Sequence, residues 1–116
     1  MVTWLENSGE TNLSLLEELD DAEWRPIRGY PKYDVSDYGE IMNWTTGRIL
    51  RQHWWSYGLC VNLRLHNQGH KKRVARLVYE AFHDVVLDRN QLIVHLDDNP
   101  YNNRLDNLSL RGSGVY

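Results

Sequence analysis

A single stretch of helical periodicity, placed between short alternating segments, constrains the fold of this chain most. The apolar positions that recur at the spacing of one helix face are Val74, Leu77, Val78, Ala81 and Phe82. Apolar residues three and four positions apart form a continuous stripe along a helix, and such a stripe must be buried against another element. The sequence therefore predicts one amphipathic core helix, which ends near residue 83.

The segments before the helix alternate between apolar and polar residues and predict antiparallel strands. Residues 24–27 and 33–36 are two such segments, and residues 40–44 and 48–52 flank a Gly-containing link of hairpin length. Residues 59–65 alternate most regularly and are expected to turn at residues 67–69 into residues 70–73. After the helix, residues 92–95 and 108–110 read as two further short strands. These patterns together predict an α+β fold of small antiparallel hairpins around a core helix.

Length and charge suggest how the chain is organised. Its 116 residues suffice for one small domain, or two very small modules that share a core. Residues 1–23 form an acidic arm in which Asn12 is expected to cap a short helix, and residues 1–24 hold seven acidic side chains and no Lys or Arg. The remainder has a balance of +4, which suits a polyanion partner if the cations share a face. We divide the chain into residues 1–23, 24–56 and 57–116.

Several functional classes are disfavoured by composition. Cys60 is the only cysteine, so an internal disulfide and a multi-cysteine zinc site are excluded. No long apolar run and no secretory leader are recognisable, so we expect a cytoplasmic protein without a membrane span.

Residues 94–108 hold the densest polar cluster, with one His, three Asp and four Asn between two short apolar pieces. Asn and Asp side chains can bond nearby backbone and so hold an irregular loop rigid. A histidine at the edge of such a loop can act as a general base near neutral pH. The simpler alternative is a well-tied turn with a satisfied histidine.

This cluster resembles the H-x-D-G-N-x-x-N-N-R-x-x-N-L core of the HNH homing endonucleases of phage type. The positions in register are His95, Asp97, Asn99, Asn102, Asn103, Arg104, Asn107 and Leu108, with Asp98 in place of the usual Gly. Upstream, the segment R-V-A-R-L-V-Y-E-A-F is similar to a helix of the same proteins. The segment beginning W-R-P-I-R-G-Y, with Y-D-V-S-D-Y-G-E-I and T-G-R-I-L, resembles their N-terminal nuclease-associated DNA-binding motif. The likeness covers residues 24–110, and the three motifs occur in the same order as in that family.

The resemblance implies a ββα-metal site in which a histidine activates water to attack a DNA phosphodiester. His95 would be the general base, and Asn107 would tie the loop and orient His95. The metal ligand expected immediately before the histidine is Val94 here, and the second expected ligand position is Tyr116. The closing helix is not encoded by residues 111–116, so the ββα motif reads as truncated. We expect no bound metal; the alternative is that Asp97 and Asp98 substitute for the missing ligands.

Two functional hypotheses follow, with a third beside them. The first is a catalytically inactive relative that binds double-stranded DNA, a host protein, or both, as a regulator or inhibitor in the cytoplasm of the host cell. The second is an Mg²⁺-dependent nicking endonuclease with His95 as its base. The third is a protein-only inhibitor that uses the acidic arm. The residues expected to contact DNA phosphates are Arg48 and Arg51 on the first hairpin, and Arg64, Lys71, Lys72 and Arg73 on the second.

Overall fold

The computed structural model describes residues 21–111, and the predicted helix capped by Asn12 lies outside that range. The described chain is a mixed fold of small antiparallel sheets and one helix, as the sequence predicted. The strands, in chain order, are β1 (Trp24–Ile27), β2 (Tyr30–Ser36), β3 (Ile41–Asn43), β4 (Arg48–Ile49), β5 (His53–Trp55), β6 (Gly58–Leu65), β7 (Gln68–Arg73), β8 (Ile93–His95) and β9 (Leu108–Leu110). The helix α1 spans Val74–His83, and a short 3₁₀ turn spans Leu105–Asn107.

The strands form three antiparallel sheets within the described range. The first joins β1, β2, β3 and β4 in chain order, the second joins β5, β6 and β7, and the third pairs β8 with β9. The predicted first hairpin is confirmed, but its second strand ends at Ile49 rather than near residue 52. The strand β5 was not predicted, because three residues are too few for an alternating pattern to stand out.

The turn of the second hairpin lies one residue earlier than the sequence suggested. It is formed by His66 and Asn67, both with positive φ (53° and 66°), and β7 begins at Gln68. Two-residue hairpin loops of this mirror-image type match the twist of the strands, and Asn tolerates the left-handed conformation that they need. The sequence prediction placed the turn at residues 67–69 because glycine is common in turns, but Gly69 lies within β7.

One hydrophobic core joins the sheets to the helix. Alternate residues of β6 face inward, so Val61 and Leu63 are fully buried against α1. Val35 and Ile41 from the first sheet enter the same core, as does Leu108 from β9. The segments on either side of the division at residue 56 therefore pack into one another, and the loop after β8 is held against the first sheet. Within residues 21–111, no helix is long and apolar enough to cross a membrane.

Candidate nucleic-acid interface

The outer face of the second sheet collects exposed and half-buried side chains that are polar, basic or aromatic. The register pairs Asn62 with Lys71 and Arg64 with Gly69, so these residues lie on the face opposite Val61 and Leu63. We call this surface the outer face. Its side chains are His53, Trp55, Asn62, Arg64, Lys71 and Arg73.

Trp55 organises the two cations nearest to it. The Lys71 ammonium lies 4.2 Å from the centre of the Trp55 ring, and the Arg73 guanidinium lies 5.4 Å from it. Such cation–π contacts hold a charge in place without neutralising it. Lys71 therefore remains a positioned positive charge on an exposed surface.

Acidic residues are absent from this part of the chain. Residues 41–79, which include the whole second sheet, contain seven Lys and Arg and no Asp or Glu. An uninterrupted positive potential attracts a polyanion and raises its association rate. The net charge of −3 conceals this concentration, because the carboxylates lie before and after it.

The basic residues predicted to contact phosphates do not share one surface. Arg64 and Lys71 are exposed on the outer face. Lys72 lies on the opposite side of β7, with its ammonium 5.4 Å from the Tyr30 ring. Arg48 and Arg51 are exposed, on β4 and just beyond it. Lys71 and Lys72, both predicted to contact phosphates, therefore lie on different surfaces, because neighbouring residues of a strand point to opposite faces.

Arg73 lies at the outer face but is committed to the protein. Its guanidinium donates hydrogen bonds to the backbone carbonyl of Trp55 and, at 2.6 Å, to that of Ser56. These carbonyls belong to the turn between β5 and β6, so Arg73 braces that turn. Trp55 and this bracing contact were missed by sequence reasoning, because both depend on the unpredicted strand β5.

Asp97 is the centre of the loop that follows β8. Its carboxylate accepts hydrogen bonds from the Asn99 amide at 2.8 Å and from the side-chain amides of Asn102 and Asn107, both at 2.9 Å. These bonds, the one from Asn102 first, lower the pKa of Asp97 below its ordinary value. Asp98, where the resembling motif has Gly, adopts a positive φ of 61°. The motif's preference for Gly thus has a backbone cause.

Asn107 ties the loop as expected, but the partner of His95 is a different asparagine. The Asn107 side chain accepts from the Asp97 amide at 3.0 Å and donates to the Asn102 carbonyl at 2.9 Å. The His95 Nε2 lies 2.7 Å from Oδ1 of Asn103, an acceptor, so this ring nitrogen is the donor, and in the neutral form of the ring Nδ1 keeps its lone pair. The predicted contact from Asn107 to the ring is therefore corrected to Asn103, and the catalytic roles of both predicted residues remain predictions.

Asn103 is held in place by the first sheet. Its side chain is buried, and its backbone lies against Gly39, where an added Cβ would approach the Asn103 carbonyl oxygen to 3.0 Å. Gly39 also has a φ of 92°, which favours glycine. The position of the His95 ring thus depends on a turn more than fifty residues earlier, and sequence spacing gave no signal of this contact.

An open groove beside His95 is lined by cations and by no carboxylate. Arg73, Arg76 and Arg111 line it, together with Asn103 and Val94. Arg76 donates to the backbone carbonyls of residues 87, 88 and 91, which fixes the guanidinium and leaves its charge intact. Among the described residues, none of these three arginines forms an ion pair with a carboxylate.

The donors in this groove do not fit the divalent cation of a ββα-metal site. Mg²⁺ binds through oxygen ligands, and the position before His95 is the aliphatic Val94. The Asp97 oxygens are engaged by three loop donors, and the described part of the chain contains no cluster of three or more His, Cys, Asp or Glu side chains suited to a metal. Three arginines along the groove would also repel a cation.

The comparisons with known proteins agree with this architecture. Residues 23–66 match the NUMOD4 motif, which is found in HNH homing endonucleases. The fold and the loop around His95 are therefore similar to those of the HNH homing endonucleases. The particular structure that it resembles is that of the HNH homing endonuclease I-HmuI, a protein described as binding and cleaving DNA, with 31% sequence identity and a TM-score of 0.65.

The likeness to I-HmuI covers 76% of this chain but 51% of the endonuclease, so the chain spans about half the length of that protein. No curated protein sequence matches the chain. The resemblance inferred from the motifs is thus confirmed in both sequence and structure, for the region that the two proteins share.

Proposed function

We propose that this chain binds double-stranded DNA through the outer face of the second sheet and does not hydrolyse it. The observation that carries the proposal is the exposed, acid-free surface on which Arg64 lies and on which Lys71 contacts the Trp55 ring. The likeness to a DNA-binding and DNA-cleaving endonuclease supports the same partner. A protein that occupies duplex without cutting it would act as a regulator of whatever else uses that DNA.

The shape of the second sheet supports duplex DNA as the partner. The hairpin of β6 and β7 has strands of eight and six residues. The major groove of B-DNA is about 12 Å wide and admits a two-stranded ribbon of this kind. Arg64 and Asn62 on its exposed side carry the donors and acceptors that base edges and phosphates bond.

The groove beside His95 supports binding without cleavage. Guanidinium groups suit phosphate oxygens, which they bond in pairs, so Arg111 and its neighbours favour an anion where a nuclease would hold a cation. His95 would then contribute a hydrogen bond to DNA rather than a proton transfer. A DNA partner also agrees with the cytoplasmic location expected from the sequence, which stays a prediction.

The test measures binding and cleavage on the same preparation. Fluorescence anisotropy with a labelled duplex at low salt should show binding. Supercoiled plasmid incubated with Mg²⁺ or Mn²⁺ should stay intact with the native chain and with His95→Ala. Plasmid nicking by the native chain that disappears in His95→Ala would establish the nuclease instead.

The nuclease alternative has one specific observation in its favour. The ring of His95 is oriented by Asn103, and its Nδ1 keeps a lone pair that could accept a proton from water. Val94→Asp, which returns an oxygen ligand to the position before His95, provides a matched variant for the same plasmid assay. If the native chain binds no duplex at low salt, the protein-only inhibitor that acts through the acidic arm takes its place.

A further inference from the structure

The turn between β5 and β6 has a conformation that its residues do not favour. Trp55 pairs with Gly58, so Ser56 and Tyr57 are the two central residues of the turn. Their φ angles are positive, 49° and 74°. Turns of this mirror-image type strongly prefer Asn and Gly, and a bulky residue in the left-handed region is strained.

No packing of the Tyr57 side chain accounts for this strain. Tyr57 is 88% exposed, more than any other large hydrophobic residue in the described range. Within residues 21–111, its ring makes no contact with another aromatic ring. An unfavourable backbone conformation that presents an exposed, unpacked side chain is a reason to ask whether the residue has a function.

The neighbouring residues hold the turn rigidly. Arg73 donates to the carbonyls of both Trp55 and Ser56, on the chain that leads into the turn. Trp54 stacks on Tyr101 of the His95 loop, with ring centres 5.0 Å apart. A side chain presented on a fixed backbone loses little conformational entropy when it meets a partner.

Tyr57 lies between the two surfaces that are proposed to contact DNA. It follows Trp55 of the outer face by two residues, and it lines the same groove as His95 and Arg111. A duplex that met both surfaces would pass over this turn. The phenol ring would then meet the DNA between the phosphates that the flanking cations bind.

We propose that Tyr57 is a wedge that contacts bases: its ring stacks against an exposed base or enters between two base pairs of the bound duplex. Aromatic and apolar side chains that enter base steps partly unstack them and kink the duplex. The inference rests on the proposed DNA binding and adds to it the residue that deforms the DNA.

Two substitutions separate the ring from the turn. Tyr57→Phe keeps the ring and removes only the hydroxyl, whereas Tyr57→Asn removes the ring and supplies a residue that the turn prefers. Duplex affinity is measured by anisotropy over a salt series. Unstacking is measured by the fluorescence of 2-aminopurine, placed at successive positions of a mixed-sequence duplex.

Tyr57→Asn should bind duplex roughly 5- to 150-fold more weakly, the range expected for one lost base–aromatic stack. Its salt dependence should equal that of the native chain, because no phosphate contact is lost, and its 2-aminopurine enhancement should vanish. Tyr57→Phe should behave as the native chain does. The melting temperature of Tyr57→Asn should equal or exceed the native value, which shows that the loss of binding does not come from unfolding.

Three results would overturn the wedge. Tyr57→Asn could match the native chain in affinity and in 2-aminopurine fluorescence, in which case the ring does not touch the DNA. Affinity could fall while the fluorescence is unchanged, which places the ring on the backbone. If the native chain binds no duplex at all, the proposed function fails together with the wedge, whereas the first two results leave DNA binding in place.

Discussion

Removing a positive charge from the outer face should change how DNA binding depends on salt. The substitutions are Lys71→Gln and Arg64→Gln, alone and together. Both side chains are exposed, and Lys71 contacts only the Trp55 ring among the interactions described above. Arg64 donates one exposed hydrogen bond of 3.2 Å to the Asn67 carbonyl. Neither change should lower stability by more than about 0.5 kcal/mol, because both positions are on the surface.

The magnitude follows from counterion release. Each phosphate neutralised by Lys or Arg adds about 0.9 to the slope of log affinity against log salt. Between about 50 mM and about 200 mM salt, one contact therefore accounts for a loss of affinity of roughly 3- to 4-fold. Each single variant should flatten the slope by about 0.9 and the double variant by about 1.8, if the two contacts are independent.

Lys72→Gln is the matched control, because it removes the same charge from the neighbouring residue on the opposite side of β7. Its slope should stay close to the native value. Anisotropy with a labelled duplex at five or more salt concentrations measures all four variants. If Lys72→Gln flattens the slope as much as Lys71→Gln does, the effect is one of net charge, and the assignment of the outer face is wrong.

Three further predictions concern stability. Asp97→Asn should lower the melting temperature at neutral pH. The pKa of the Asp97 carboxyl is depressed in the folded state, so its contribution to stability is present above its ordinary pKa and is lost as the pH falls from that value through the lower folded-state pKa. The melting temperatures of the native chain and of Asp97→Asn are measured over a pH series. A difference between them that persists unchanged into strong acid would contradict this prediction. Asp98→Gly should relieve the positive φ of 61° and stabilise the protein by about 1 kcal/mol in urea unfolding, and a destabilised variant would show that the Asp98 side chain has a structural role. Deletion of residues 1–11 should shift the melting temperature by less than about 3 °C, whereas a collapse would make the segment part of the fold.

Local patterns were sufficient to predict most of the elements. The stripe that includes Val74 and Leu77 gave the helix, and the alternation around Val61 and Leu63 gave β6, because each pattern repeats over enough residues to be distinctive. The strand β5 was missed because it has only three residues and is defined by its partner β6. Pairing of this kind is a tertiary property that local sequence does not carry.

The sequence motif predicted which residues of the site share a loop, but it did not predict which of them contact one another. The motif placed His95 and Asn107 in one loop, and the structure shows Asn107 bonding that loop together. The ring partner was wrong because Asn103 packs against Gly39, a residue of the turn between β2 and β3 that is distant in sequence. The sequence identified the basic residues, but it did not show which of them lie on the same surface. Lys71 and Lys72 point in opposite directions because of their places in the register of β7.

The match to the NUMOD4 motif ends at residue 66, which is the first residue of the turn between β6 and β7. The matched motif therefore stops in the middle of a hairpin. The strand β6 is paired on both edges, with β5 and β7, only when β7 is also present. A recombination event that transferred residues 23–66 alone would leave the hydrogen-bonding edge of β6 unpaired, and exposed edges of that kind invite aggregation. The structural unit that completes β6 is therefore longer than the matched motif, because it includes β7.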